Sequence, residues 1–158
     1  MKIIKKHDAG SVAALVGLAA LGGIAIFNAT LGVNVTTPYR IIEITDGDTV
    51  VIEANFLPPE LGYKLGLRIV GIDTGEKGGR AECDYEREMG EKAHRYVEDK
   101  IATARKVDIN LIGWDKYGGR VIGEVIVDGR SLGNLLIQEK LAKPYDGKSA
   151  KTSWCKKK

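Results

Sequence analysis

Five short β-branched segments, joined by turn-forming residues and interrupted once by a helical pattern, dominate the sequence. From about residue 84 to 104 apolar side chains recur at helical spacing, and leucines between 132 and 141 indicate a second helix. Asp-Gly and Gly-Gly steps supply turns between the strands. The order predicts a mainly β protein with two to three helices, whose five strands form a small closed or partly closed barrel. The predicted strands are residues 40–45, 49–54, 65–73, 106–113 and 120–127.

An apolar segment precedes the strands. Three lysines lie before it, and residues 11–27 contain no charged side chain. With the apolar positions that follow, these residues nearly span a hydrocarbon core, which takes about 20 residues as a helix. A buried helix of a soluble domain would carry a polar face, and this segment has none. Residues 1–37 are therefore predicted to be an N-terminal hydrophobic helix with a short linker, acting as a signal anchor or a cleaved signal peptide.

Both forms of this leader place the rest of the chain outside the cytoplasm. The lysines before the segment keep the N-terminus inside. The anchor is favoured, because Phe27 spoils the small-residue pattern that cleavage after Ala29 would need. We therefore predict a membrane-anchored protein with its domain in the periplasm or outside the cell, or a secreted protein if the leader is cleaved.

The formal net charge of +3 is unevenly distributed along the chain. Residues 1–37 carry +2, residues 38–138 carry −4 and residues 139–158 carry +5. Bulk charge therefore does not by itself indicate a nucleic-acid partner. The two histidines and two cysteines are scattered, which leaves no zinc signature. In an exported protein Cys83 and Cys155 can form a disulfide or stay free, and the sequence leaves this open.

Acidic residues stand at the ends of the predicted strands. Asp48 opens a strand, Asp73 closes another, and Glu76 follows in the next loop. Two aspartates with a main-chain carbonyl and water would suit a hard cation such as Ca²⁺, which takes six to eight oxygen ligands. Taken as a pair, Asp46 and Asp48 are better explained as turn residues, so this pattern alone does not establish a metal site.

Two arginines add the chemistry of an anion site. Strand alternation places Arg68 on the same face as Val70 and Ile72, where a buried guanidinium needs an anionic partner. The partner is either a phosphate, which the planar group binds with two hydrogen bonds, or a core carboxylate. Arg120 follows a Gly-Gly turn and could supply a second such group. Metal-binding carboxylates, a spare glutamate and two arginines together are typical of a phosphodiester hydrolase.

Three motifs in a fixed order resemble the staphylococcal nuclease (thermonuclease) family. They are DGDTV, RIVGIDTGE and DKYGGR, and the later stretch VDGRSLGNLLIQEKLAKPY resembles the family's second-helix region. The similarity covers about residues 40–145. It implies an OB-fold nuclease domain over residues 38–146, followed by a basic C-terminal tail over 147–158.

The resemblance implies roles for nine residues. It also implies a Ca²⁺-dependent enzyme that hydrolyses phosphodiester bonds in DNA and RNA with little sequence preference. Single-stranded substrates are favoured, and the protein is expected to be a monomer. The residues are Asp48, Asp73 and Thr74 for the metal, Arg68, Glu76 and Arg120 for catalysis, and Lys116, Tyr117 and Tyr145 for nucleotide binding.

The chain departs from the family pattern at two glycines. Gly75 stands where the family usually has proline, which predicts a looser loop and a less fixed Glu76. An extra glycine precedes Arg120, and we predict that the turn absorbs it as a bulge so that Arg120 still reaches the phosphate. These departures sustain an alternative, a non-catalytic OB-fold module that binds nucleic acid while tethered to the membrane. A membrane-tethered scaffold is a weaker third possibility.

Overall fold

The computed structural model describes residues 39–116 and 118–155. The predicted N-terminal helix and Tyr117 lie outside this part of the chain. Within it, no helix has the length and apolar character needed to cross a membrane.

The described residues form a mainly β structure with two α-helices. Both predicted helices are present, and each predicted strand corresponds to one or two observed strands. The elements in chain order are β1 Ile41–Asp46, β2 Thr49–Glu53, β3 Lys64–Ile69, β4 Ile72–Thr74, α1 Asp84–Thr103, β5 Val107–Trp114, β6 Arg120–Val127, β7 Arg130–Ser131, α2 Leu132–Gln138 and β8 Ala142–Pro144.

The main sheet is mixed and open. Its strands lie in the order β1-β2-β3-β6-β5, with β7 paired to β6, and only the β3–β6 pair among them is parallel. The predicted barrel is therefore not closed, since no pairing joins β1 to β5 among the described residues. Bulges interrupt the ladders of both edge strands, in β1 between Ile41 and Glu43 and in β5 between Leu111 and Gly113. Bulges of this kind bend a strand and increase its local twist.

The prediction of one continuous strand over residues 65–73 was wrong. The chain turns at Val70 and Gly71, and Gly71 has a φ of 83°, a conformation that glycine adopts without strain. β3 ends before the turn, and β4 begins after it and pairs with β8 in a second, two-stranded sheet. Because of this turn, Asp73 folds back toward Arg68 instead of extending beyond it.

The core lies between the main sheet and the two helices. Residues of one face of β2 and β3 are fully buried and alternate along each strand, as a half-buried sheet requires. α1 and α2 each add apolar residues one turn apart. The turn between β1 and β2 docks on α1, because a Cβ added to Gly47 would lie 2.5 Å from the Cβ of Ala93. This close approach fixes the backbone just before Asp48.

A disulfide joins the start of α1 to the end of the described chain. Cys83 and Cys155 are bonded, with 6.0 Å between their Cα atoms. Trp154 beside it is 7% exposed, and the Lys143 ammonium lies 4.3 Å from the centre of its ring. The pairing that the sequence left open is therefore made, and it holds the C-terminal segment (residues 146–155) against the domain.

Candidate active site

Arg68 lies between two buried aspartates. Its Nη1 donates to Asp48 Oδ1 at 3.2 Å, and its Nη2 lies 3.1 Å from Asp48 Oδ2. Nη2 also contacts Asp73 Oδ1 at 3.2 Å. The register of β2 on β3, which pairs Thr49 with Arg68, places Asp48 beside the guanidinium. Of the two partners that the sequence left open for Arg68, the described residues show the carboxylates. These carboxylates belong to the residues that were predicted to bind the metal.

The Asp48–Asp73 carboxylate pair has the chemistry of a hard-cation site. Both residues are about 95% buried, and Asp48 Oδ2 accepts the Thr74 backbone N–H at 3.1 Å. Thr49 Oγ1 donates to Asp48 Oδ1 at 2.9 Å, so hydrogen bonds orient that carboxylate from two sides. Carboxylate and carbonyl oxygens are the ligands that Ca²⁺ prefers. The residues present therefore fit a calcium ion, with Asp48, Asp73 and the Thr74 carbonyl as the available oxygens.

Glu76 faces the same site from the loop after β4. Its Oε2 lies 3.2 Å from Arg80 Nε, and its Oε1 lies 4.0 Å from the ammonium of Lys151. Its side chain is 38% exposed, in contrast to the buried aspartates. Arg80 also donates to both carboxylate oxygens of Asp46 at 2.7 Å. Glu76 is therefore oriented by cations while its carboxylate stays accessible to water.

The loop that carries Glu76 packs tightly on α1, although Gly75 predicted a looser loop. A Cβ on Gly75 would lie 2.7 Å from the carbonyl oxygen of Glu86, and a Cβ on Gly90 would lie 2.6 Å from the carbonyls of Gly75 and Glu76. The buried Glu86 carboxylate also accepts the Glu76 N–H at 3.4 Å. Glycine at position 75 therefore allows the loop and helix to touch, and this contact restricts where Glu76 can point.

Arg120 reaches the cavity that Arg68 lines, and it is held there by Asp115. Its Nε donates to Asp115 Oδ2 at 2.8 Å, and its Nη2 binds the same oxygen. Burial is the largest single influence on Asp115 and opposes its ionisation. The hydrogen bonds and charge of Arg120, the Lys116 backbone N–H and the charge of Arg68 together outweigh it and hold the pKa of that carboxyl below its usual value. The extra residue is accommodated in the turn itself, where Gly118 and Gly119 both have positive φ, and the bulge lies farther back in β5.

Lys116 and Tyr145 lie at the rim of this cavity, which has a volume of about 630 Å³. The Lys116 ammonium donates to the carbonyl of Gly147 at 3.2 Å, and the Tyr145 ring lies 6.0 Å from the Arg68 guanidinium carbon. The lining thus includes arginines, lysines and two aromatic side chains, Trp114 and Tyr145, together with Glu76. The third predicted nucleotide-binding residue, Tyr117, is outside the described residues.

Two further residues complete the site, and the motifs assigned neither of them a role there. Asp115 fixes the direction of Arg120, and its position directly before the hairpin was the one available signal. Lys151 lies 2.7 Å from Asp73 Oδ1, where no motif pointed to it. Partial burial opposes its charge, but contact with Asp73 raises the pKa of the Lys151 ammonium above its usual value.

Comparison with known families fits this geometry. The model of the staphylococcal nuclease homologue family matches residues 66–157. The chain belongs to this family. Its members are generally nucleases that hydrolyse phosphodiester bonds. No curated protein matches the chain.

The family match begins after Asp48 and includes the other eight predicted site residues. Asp48 joins them through the fold, because the β2–β3 register brings it against Arg68. Membership in the family and the geometry of the described residues therefore meet at one cavity, and Arg68 in its lining contacts both aspartates of the carboxylate pair.

Proposed function

We propose that the chain is a Ca²⁺-dependent nuclease that hydrolyses phosphodiester bonds of DNA and RNA with little sequence preference. One observation carries the proposal. Arg68, Glu76 and Arg120 line a single cavity in a member of a nuclease family, and a buried carboxylate pair binds Arg68. The cavity is open and has cationic groups at its rim, which suits a flexible single strand better than a rigid duplex.

The cation would be held by Asp48, Asp73 and the Thr74 carbonyl. When bound, it supplies positive charge next to the phosphate, which neutralises the substrate and the charge that develops during attack. Arg68 and Arg120 would bind phosphate oxygens through their planar donor groups, as such groups bind oxyanions elsewhere. Both arginines rest on carboxylates in the described structure, so they are oriented before substrate arrives.

Glu76 would orient the attacking water and accept its proton. The oxygen of that water forms the new bond to phosphorus, and the bond from phosphorus to the 5′ oxygen breaks. The departing 5′ oxygen takes up a proton from solvent water, so the products carry 3′-phosphate and 5′-hydroxyl ends. Arg80 keeps the Glu76 carboxylate directed into the cavity. Lys116 and Tyr145 at the rim would contact the backbone and the base next to the cleaved bond.

Cleavage assays on the full chain test the proposal. Single-stranded DNA and RNA are incubated with calcium and with chelator, using the parent protein and Glu76→Gln. We expect cleavage that needs calcium and falls by at least about a hundredfold in the variant, the usual effect of removing a general base. Tight binding of single strands without cleavage under any condition would instead support the non-catalytic binding module.

We further propose that residues 1–37 anchor the protein in a membrane with the nuclease domain outside the cytoplasm, and that the domain acts as a monomer. The uncharged stretch over 11–27 and the lysines before it support this orientation. Membrane fractions washed with alkaline carbonate should retain the full chain. Recovery of a shortened protein in the medium would indicate a cleaved leader.

A further inference from the structure

The C-terminal segment (residues 146–155) forms part of the lining of the cavity. Gly147, Lys148 and Lys151 all line the space that Arg68 and Arg120 face. The Asp146 side chain accepts the backbone N–H groups of Lys148 and Ser149, each at 2.8 Å, which folds the segment into a turn above the cavity. This part of the chain therefore belongs to the site, although it contains none of the family motifs.

Three contacts hold the segment in this place. The Lys116 ammonium binds the Gly147 carbonyl at one end, and the Lys143 ammonium binds the Ser153 carbonyl at 2.8 Å near the other. The Cys83–Cys155 disulfide then ties the segment covalently to the start of α1. A covalent tether of this kind raises the effective concentration of whatever the segment carries into the cavity.

Lys151 is the residue of this segment that contacts the carboxylate pair. Its ammonium lies 2.7 Å from Asp73 Oδ1, an oxygen that also accepts from Arg68, and 4.0 Å from Glu76 Oε1. About half of the Lys151 side chain is exposed, so it can move without disturbing the core. A cation that binds Asp73 would meet a like charge at the same oxygen.

We propose that Lys151 is an exchangeable cation of the site: it occupies Asp73 when no metal is bound and binds the phosphate backbone of the substrate when a metal takes its place. The disulfide keeps it within reach of both anions. This proposal rests on the proposed function and adds to it a substrate-binding residue that lies outside the family motifs.

The charges around Lys151 give the physical reason. Displaced from Asp73 by a divalent cation, its ammonium is left beside Glu76 and in a cavity already lined by cations. A substrate phosphate is the anion that then enters this cavity. Metal and lysine should therefore compete, whereas substrate and lysine should attract each other. A merely structural lysine would affect both ligands in the same direction.

Calcium affinity is the first measurement. Isothermal titration of the full-length protein with CaCl₂ compares the parent, Lys151→Met and the control Lys140→Met, which removes an exposed lysine that does not line the cavity. We expect Lys151→Met to bind calcium roughly two- to fivefold more tightly, the range of an exposed ion pair. An affinity equal to or weaker than that of Lys140→Met would overturn the proposal.

Affinity for a single strand is the second measurement. All variants carry Glu76→Gln to slow cleavage, and a fluorescent dT₁₂ oligonucleotide is titrated in saturating calcium at several salt concentrations. Lys151→Met should bind more weakly, and the slope of log affinity against log salt should fall by about 0.7, the value for one phosphate contact on a single strand. The same slope in Lys151→Met and Lys140→Met would overturn the proposal.

The tether is tested with Cys155→Ser, which leaves Lys151 in place. It should shift both affinities in the directions seen for Lys151→Met, and the double variant should match Lys151→Met alone because both changes act through one lysine. Fully additive effects would overturn this role of the disulfide. A parent protein that binds no calcium contradicts the proposed function itself. A parent that binds calcium, with Lys151→Met equal to Lys140→Met, contradicts only this inference.

Discussion

The carboxylate pair, which binds Arg68 of the cavity, and the C-terminal segment, which lines the cavity, are built differently. Asp48 and Asp73 are about 95% buried, and strand register and a glycine turn fix their positions. Lys151 is half exposed, and a disulfide and two lysine–carbonyl contacts hold its segment. The carboxylate pair is therefore part of the core, whereas the C-terminal segment that carries Lys151 lies at the surface and can move.

This difference in burial predicts which properties a substitution in each region should change. Alterations next to the carboxylate pair should affect stability and activity together, because they leave buried charge without a partner. Alterations of the C-terminal segment should affect ligand binding with little effect on folding, because exposed ion pairs contribute little to stability.

The largest effect is expected for Arg68→Met. Removal of the guanidinium leaves two buried carboxylates without their shared partner, so the free energy of unfolding in chelator should fall by about 3–5 kcal/mol. Calcium should restore part of the loss, because a cation can replace the missing positive charge. Urea unfolding with and without calcium measures both effects. The control Arg40→Met removes an exposed pair with Glu53 and should change stability by less than about 1 kcal/mol. Equal losses in the two variants would contradict the comparison.

Arg120→Ala should lower activity next most strongly. Its guanidinium is oriented by Asp115 toward the phosphate position, so kcat should fall about a hundredfold to a thousandfold, as for other charge-stabilising donors. Lys116→Ala at the exposed rim should lower it only a few-fold. Steady-state cleavage of one labelled single strand compares the two. Equal and mild effects would show that Arg120 does not contact the reacting phosphate.

Gly90→Ala should disturb the loop that carries Glu76. The methyl group gains about 1 kcal/mol in helix propensity, but contact with the carbonyls of Gly75 and Glu76 costs about 1–3 kcal/mol in overpacking. Stability should therefore fall by up to about 2 kcal/mol, with a loss of kcat. Gly79→Ala, in the same loop with open space around its Cβ, is the matched control. Full activity of Gly90→Ala would show that this packing does not position Glu76.

The smallest effect concerns Asp146 in the C-terminal segment. The N–H groups of Ser149 and Lys148 and the Ser149 hydroxyl lower the pKa of its carboxyl to about 2. Because this carboxyl has a lower pKa in the folded turn than in an unfolded chain, its charged form stabilises the turn at pH values above the usual pKa. That stabilisation is lost as the pH falls through the lowered pKa of the folded turn. The turn should therefore be unchanged from pH 8 down to about 4 and open near pH 2. An NMR titration midpoint near 4 for this carboxyl would contradict the turn.

The sequence predicted the elements of the fold better than their connections. β-branched runs and helical spacing located the main strands and both helices, because these patterns are local. The break at Gly71 and the open sheet edges depend on pairing between distant strands, and no local pattern records that pairing. The predicted strand over 65–73 was wrong for this reason.

The candidate site shows the same contrast between local sequence patterns and contacts that depend on the fold. Arg68, Asp73 and Glu76 lie within one motif, and the family resemblance grouped them. Strand alternation alone placed Asp73 on the face opposite Arg68, and the turn at Gly71 brings the two together. Lys151 lies beside Asp73 in a segment that a bond between Cys155 and Cys83, 72 residues apart, ties to the domain. The sequence permitted that bond without requiring it, because bridging depends on a distance that only the fold provides.

The central claim is that the carboxylate pair holds the calcium on which cleavage depends. The most direct test measures calcium binding by titration calorimetry and single-strand cleavage against calcium concentration, on the same preparations of the parent and Asp48→Asn. We predict that Asp48→Asn shifts the midpoints of calcium binding and of cleavage together to at least about tenfold higher calcium, because the substitution removes a charged ligand. Cleavage that keeps its calcium midpoint in Asp48→Asn, or that proceeds in chelator, would contradict it.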